Sequence, residues 1–507
     1  MRLEAIRLEQ VRKTFGTVAA NDGVHLDLQF GEVLALLGEN GSGKTTLMNM
    51  LSGIYQPDGG AIYVRGQRAQ IRSPRDARRL GVGMVHQHFK LVDSFTALEN
   101  IVLGPGGGTL RAARAKIEAM CGEFGFPFRP DQRVRDMSVG EKQTVEIQKL
   151  LYRGADILIL DEPTAVLTPQ ESAVLFAMLR RLRDSGQAVI IITHKLSEVL
   201  EISDRVTVLR RGRSVATVPT AETNAARLTE LMVGRPVDLK ISRPACPQAP
   251  ELLRIQQLTV KNEEGYALRD VSFSLAGGEI LGVAGIAGCG QKELCETIAG
   301  LQKAESGGIL FDGQDILGHS PADIIRRGIS MSFIPEDRLG MGLVAPMNII
   351  DNMLLKTFRH ARGPLLRRAA ARAMAQKIIA ELEIATPGPH TPVRQLSGGN
   401  VQKVLLGREI ESNPRLLITA YPVRGLDTHT SFAIYDLLNR QKQNGVGILF
   451  IGEDLDVLLE LCDRVLVLCR GECMGIVDAR QTTKEELGLM MTGSRLQQAQ
   501  RGKGAAE

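Results

Sequence analysis

Gly38-Glu39-Asn40-Gly41-Ser42-Gly43-Lys44-Thr45 is the stretch on which the reading of this chain turns. Its glycines let consecutive backbone N–H groups turn inward around phosphate oxygens, while Lys44 reaches the terminal phosphates. The Thr45 hydroxyl can ligate Mg²⁺, and Thr46 is counted with the binding loop. An apolar run, residues 33–37, leads into the loop, and the helix that follows adds the positive field of its N-terminus. Residues 157–160 and 189–192 are further short apolar runs of the kind that fill a buried parallel sheet. Strands alternating with helices predict an α/β fold, in which chemistry sits beyond the carboxyl ends of the strands.

The run 157–160 ends in Asp161-Glu162. Asp161 is read as holding the metal and Glu162 as orienting or deprotonating the attacking water. A carboxylate pair can also simply cap a helix, but the order of glycine loop followed by carboxylate strand makes that the minor reading. His86 and His88 flank Gln87 without a third ligand in view, so they are read as loop packing rather than as a metal site.

With these elements in place, the chain resembles the ABC-transporter ATPase family over nearly its whole length. Ser138-Val139-Gly140-Glu141-Lys142-Gln143 resembles the family signature, Gln87 the Q-loop glutamine, His194 the switch histidine, and Phe15 the aromatic residue that stacks on adenine. The resemblance implies ATP and Mg²⁺ as cofactors. It implies catalytic roles for Lys44, Gln87, Glu162 and His194, and metal contacts from Thr45, Gln87 and Asp161. The loop Gly38 to Thr46 then binds the nucleotide. The fold it implies is two tandem P-loop nucleotide-binding domains, each a mixed or parallel sheet with a helical signature subdomain.

The tandem arrangement is visible without any resemblance. Gly31-Glu32 recurs as Gly278-Glu279 at an offset of 247, and Asp204-Arg205 recurs as Asp463-Arg464 at 259. Ser138 matches Ser397 and Pro163 matches Pro422 at the same later offset. One change of offset is therefore expected, from extra loop in the second half. A period this long means two homologous domains rather than a solenoid. The proline-rich stretch 234–250 reads as their junction. The expected organisation is a first domain at 1–236, a linker at 237–250, a second domain at 251–494 and a polar tail at 495–507.

The second copy has lost the reactive groups. Gln291 stands where Lys44 does, Lys292 for Thr45, Ala420 for Asp161, Tyr421 for Glu162, Glu453 for His194 and Asn262 for Phe15. A methyl group cannot hold Mg²⁺, and a phenol is a poor base at neutral pH. Yet Leu396-Ser397-Gly398-Gly399-Asn400 is closer to the family's LSGGQ than the first copy's signature is. In the family, nucleotide lies between one domain's phosphate loop and the other's signature. The resemblance therefore implies that Ser397, Gly398 and Gly399 complete the site built on Lys44. Asn400 in place of Gln, and Thr168 where the second copy has Asp427, depart from the family pattern.

Hydrophobic residues at 44% and charged residues at 23% are a globular balance, and a net charge of +5 gives no reason to expect nucleic acid. Seven scattered cysteines suit a reducing compartment better than a disulfide framework. The opening MRLEAIRLEQ has no apolar signal region, and no run is long enough to span a bilayer. Membrane contact is expected only through integral-membrane permease subunits, on the cytoplasmic face, with residues 88–104 as the first domain's contact. An extracytoplasmic solute-binding protein takes part indirectly. Met84 to Phe89, the stretch 164–171 and the modified signature resemble the nucleoside subgroup of simple-sugar importers. The competing class, a soluble ribosome-associated tandem protein, usually keeps both sites and a charged helical linker.

Overall fold

The computed structural model describes residues 3–16, 18–86, 89–104, 110–165, 167–193, 195–234, 240–245, 249–263, 265–286, 288–333, 342–357, 368–424, 426 and 428–495. Gln87 and His194 lie outside the described residues, as do His88, Asp427 and nearly all of the tail. The chain divides into two compact units, Met1–Asp238 and Leu239–Glu507.

In the first unit β1 (Glu4–Phe15), β2 (Val18–Gln29), β4 (Gly59–Val64) and β5 (Gln67–Ala69) form an antiparallel sheet ordered β2-β1-β4-β5. The second sheet contains β3 (Glu32–Leu37), β6 (Val82–Val85), β7 (Ile157–Asp161), β8 (Ala188–Ile192), β9 (Arg205–Arg210) and β10 (Arg213–Pro219). Its order is β10-β9-β3-β8-β7-β6, parallel throughout except for β10. β3, β7 and β8 are buried along their whole length, which explains their near-continuous apolar sequences. Alternate residues serve two cores: Val33, Ala35 and Leu37 join one, Leu34 and Leu36 the other. The register sets Leu36 beside Ile192 and Ile192 beside Asp161, so these strands end level. The glycine loop, the carboxylate pair and residue 193 thus leave the sheet at one edge.

The second unit repeats the plan. β11 (Glu251–Asn262), β12 (Gly265–Ala276), β14 (Ser306–Phe311) and β15 (Gln314–Asp315) are ordered β12-β11-β14-β15. β13 (Ile280–Ala284), β16 (Ile329–Phe333), β17 (Leu416–Ala420), β18 (Gly447–Ile451), β19 (Arg464–Cys469) and β20 (Glu472–Asp478) are ordered β16-β17-β18-β13-β19-β20, the first sheet's order read from its other end. Each unit also carries three mutually packed helices: Ala97–Val102, Leu110–Phe124 and Val139–Tyr152 in the first, Ile349–Thr357, Arg368–Glu381 and Gly398–Glu411 in the second.

These helices correct the expected single change of offset. Asn100 accepts from Val92 N at 2.8 Å and donates back to Val92 O at 3.0 Å. Asn352 does the same with Val344, at 2.9 and 3.2 Å, an offset of 252. The extra chain therefore enters twice, before and after this buried asparagine clamp. Within the stretch read as linker, Arg243 donates to the carbonyls of Leu459 (3.0 Å) and Cys462 (2.6 Å). Fully buried Lys442 donates to Pro244 O at 2.8 Å and to Asp463 at 2.7 Å.

Candidate active site

The glycine loop bends where only glycine is comfortable. Gly43 has φ 98°, and a Cβ there would collide with Ala20 O. The helix Lys44–Leu51 starts on it. Lys44 is buried, and its Nζ donates to Gly38 O at 2.5 Å and Glu39 O at 2.9 Å. Burial holds its pKa below the usual lysine value, against the pull of Glu162, Asp161 and Glu39. Ser42 Oγ is buried with no hydrogen-bond partner among the described residues.

Asp161 ends β7 and is pushed up to about 6, first by burial and then by the neighbouring Glu162 charge. Lys44 and a hydrogen bond from the Thr45 hydroxyl act the other way. Glu162 takes a left-handed backbone, φ 46°, unusual outside glycine, and its N–H donates to Ile192 O at 2.9 Å. The sharp turn frees its side chain from the strand alternation. One site thus gathers Lys44, Thr45, Asp161 and Glu162. Phe15 closes β1, half exposed, edge-on to Tyr55 at 5.2 Å between ring centroids. Tyr55 was not singled out by the sequence, because its position far along the chain hides this contact.

The two signature helices begin differently. Ser138 accepts from Glu141 N at 3.2 Å while Glu141 accepts from Ser138 N at 2.8 Å, a capping box. Ser138 Oγ also donates to Glu171 at 3.1 Å, and Thr168 caps the next helix through the same Glu171. Two carboxylates therefore crowd this helix N-terminus. Ser397 makes no such cap, and the first turn of its helix carries no acid. Its hydroxyl instead accepts from Asn400 at 2.8 Å, and Asn400 accepts from Ala385 N at 3.0 Å. Ser397 and Gly398 are exposed and Gly399 is half-buried.

A family model described as ABC transporter matches residues 21–165 and again 268–422, spanning both glycine loops and both signatures. The chain belongs to the ABC transporter family. It is an ATP-binding ATPase of two tandem cassettes. Among its relatives, the guanosine import ATP-binding protein NupO of Bacillus subtilis is 42% identical, covering 98% of this chain and 99% of that one. The ribose import ATP-binding protein RbsA 1 of Rubrobacter xylanophilus is 40% identical over 96% and 98%. A solved structure, the archaeal ribosome recycling factor aABCE1 in complex with ribosomal stalk protein aP1, aligns over 95% of this chain and 92% of that one with a TM-score of 0.63. At 17% identity it shares the fold.

In the second cassette the left-handed positions recur while the polar groups of the first are replaced. Gly288 and Gly290 have φ 86° and 100°, against 79° and 98° at Gly41 and Gly43. Gln291, buried, donates to Ile286 O at 3.2 Å, a neutral version of the Lys44 contact with Glu39 O. Tyr421 keeps the left-handed turn at φ 52° and the N–H bond to the next strand, Ile451 O at 2.8 Å. Burial and Glu453 push its phenol up to about 12. Arg424 pairs with Glu453 at 3.5 Å and lies 5.9 Å from the centre of the Tyr421 ring. Asn262, in the place of Phe15, donates to Glu293 at 3.2 Å.

Among the described residues, each cassette exposes three apolar side chains at matching places around its asparagine clamp. In the first these are Val92, Phe95 and Leu103; in the second they are Val344, Met347 and Leu355, at the same offset of 252. Leu91, from the stretch expected to dock, packs inward on the core instead.

Proposed function

We propose that this protein powers a bacterial importer of nucleosides, with simple sugars as the alternative cargo, by hydrolysing ATP at one site. That site is built on Lys44, Thr45, Asp161 and Glu162 and completed by Ser397, Gly398 and Gly399. The observation that carries the reading is a pairing of opposite defects. The cassette that keeps the cation and both carboxylates has a signature helix closed by Glu141 and Glu171, whose charge repels phosphate. The cassette with the open signature has Gln291, Ala420 and Tyr421 instead. Only one cross-combination has both parts intact.

Lys44 neutralises the terminal phosphates, and the loop amides cradle them. Thr45 and Asp161 are oxygen donors already in contact, which suits Mg²⁺; it takes few protein ligands and keeps waters and phosphate oxygens. When bound, the ion supplies positive charge to the phosphates. Glu162 accepts the proton of the attacking water, with Gln87 and His194 as the expected neighbours of the reaction. Phe15 is the adenine platform, backed by Tyr55. No helix among the described residues is long and apolar enough to cross a membrane. The exposed triads of Val92, Phe95 and Leu103, and of Val344, Met347 and Leu355, are proposed as the contacts with integral-membrane permease subunits on the cytoplasmic face, with a solute-binding protein acting beyond them. The resemblance to nucleoside importers and the guanosine import relative favour nucleoside cargo.

The test is steady-state ATPase of five variants with the permease present. Lys44→Ala, Ser397→Arg and Glu162→Gln are expected to lose activity, the last by roughly 10²–10⁴-fold with ATP binding retained. Gln291→Ala and Ser138→Ala keep most of it. If Ser138→Ala abolishes turnover while Ser397→Arg spares it, the pairing is the wrong one.

A further inference from the structure

Four polar groups of the first cassette close a ring beside the carboxylate pair. Glu198 is buried on the helix Leu196–Ile202. It accepts from the Thr164 hydroxyl, 2.6 Å from each carboxylate oxygen, and from the Thr193 hydroxyl at 3.0 Å. Lys195 pairs with Glu198 at 3.2 Å, donates from Nζ to Thr164 O at 3.3 Å, and donates from its backbone N–H to Thr193 Oγ1 at 3.0 Å. Both threonines are buried.

The placement of these groups matters more than their number. Thr164 stands two residues beyond Glu162, so anchoring it restrains the turn that aims that carboxylate. Thr193 and Lys195 bracket position 194, immediately beyond β8. One buried carboxylate therefore ties the segment after the proposed base to the chain on both sides of the expected switch position. We propose that Glu198 is a positioning residue for hydrolysis, holding these two segments in a fixed relation through Thr164 and Thr193.

The second cassette argues that the ring serves the reaction rather than the fold. At the offset of 259 the four positions are Val423, Gly452, Asp454 and Val457. Val423 and Val457 pack on an apolar core, and Asp454 caps the following helix by accepting from Asp456 N. The same topology thus closes this junction with two valines and no buried carboxylate. All four polar members are missing from the cassette that also lacks the metal aspartate and the base. A buried carboxylate held by charged and hydroxyl donors is an expensive way to fill space that valines fill well.

This inference rests on the reading that the first cassette hydrolyses ATP, so Glu162→Gln accompanies the test as its reference. The decisive variant is Thr164→Val/Glu198→Val, which copies the second cassette's own pair. In the full chain with its permease, kcat is expected to fall at least tenfold, with KM for ATP and ATP affinity changed less than threefold. Glu198→Gln keeps the shape and part of the hydrogen bonding, and is expected to recover a clear fraction of the lost kcat. A folded double variant with kcat within twofold of the parent overturns the proposal. So does parallel loss of ATP affinity and kcat, which marks a merely structural role. If the double variant does not fold, Glu198→Gln decides alone: unchanged kcat overturns the proposal, and a three- to tenfold loss at constant KM supports it. Parent-like activity in Glu162→Gln points instead to failure of the underlying hydrolysis reading.

Discussion

Asp161 shows what the proposed binding site costs the fold that carries it. Its carboxyl, pushed up to about 6 by burial and by Glu162, binds a proton in the folded state that the unfolded chain has released. Its contribution to stability therefore declines as pH rises through the window from about 4 to 6, and the ionised form above it costs at most about 3 kcal/mol. Asp161→Asn should melt later than the parent at pH 8 in chelator without nucleotide, with the difference closing toward pH 4, although its ATPase is lost. A difference independent of pH would show that the carboxylate bears no such penalty. Lys44, Asp161 and Glu162 were legible because their chemistry is written in consecutive letters. Glu198 was not: its partners Thr164 and Thr193 lie on separate segments, and nothing local marks a glutamate on a short helix as buried. Glu141 lay between these cases, since Ser-x-x-Glu before a helix is a readable capping box.

At the scale of elements, the signature helices and the asparagine clamps carry the proposed asymmetry and the proposed docking. Strand positions followed from apolar runs that two-sided burial requires, so β3, β7 and β8 were readable almost to the residue. The docking face was harder, because Phe95 and Leu91 look alike in sequence while only Leu91 turns inward. Val92, Phe95 and Leu103 lie on one clamp-bearing segment whose fold depends on Asn100, not on them. Phe95→Asp/Leu103→Asp should therefore leave ATP binding by the isolated protein intact while weakening co-purification with the permease at least tenfold. Undiminished co-purification would place the contact elsewhere. The equivalent pair Met347→Asp/Leu355→Asp tests the second cassette in the same assay.

At the scale of the whole chain, the repeat was plain in the sequence, but its bookkeeping was not. Blocks of short identical text fix an offset only where they occur, so two insertions flanking the clamp read as one in the sequence, and the matching bonds of Asn352 and Asn100 separate them. The doubled architecture also permits a gain-of-function experiment. Gln291→Lys, Lys292→Thr, Ala420→Asp, Tyr421→Glu and Glu453→His together restore five of the six replaced groups on the second cassette's backbone, leaving Asn262 in the place of Phe15. In a Lys44→Ala background this set should raise Mg²⁺-dependent ATP binding by at least tenfold over Lys44→Ala alone. ATPase should stay low, because the partner signature at Ser138 remains closed by Glu141 and Glu171. Unimproved binding would mean the second loop has diverged beyond its side chains.

The left-handed turn at Tyr421 gives that experiment its footing. A non-glycine residue held at φ 52° is strained by something on the order of 1 kcal/mol, and here it carries a phenol where the first cassette carries the Glu162 carboxylate. The turn persists because Tyr421 N is tied to Ile451 O, a bond the sheet needs whatever side chain sits there. At this junction the two cassettes differ in the groups that hang from the chain, while the chain itself follows the same turn. On the proposed reading such a cassette is dormant rather than dismantled, since the turns that would aim its missing groups are still in place.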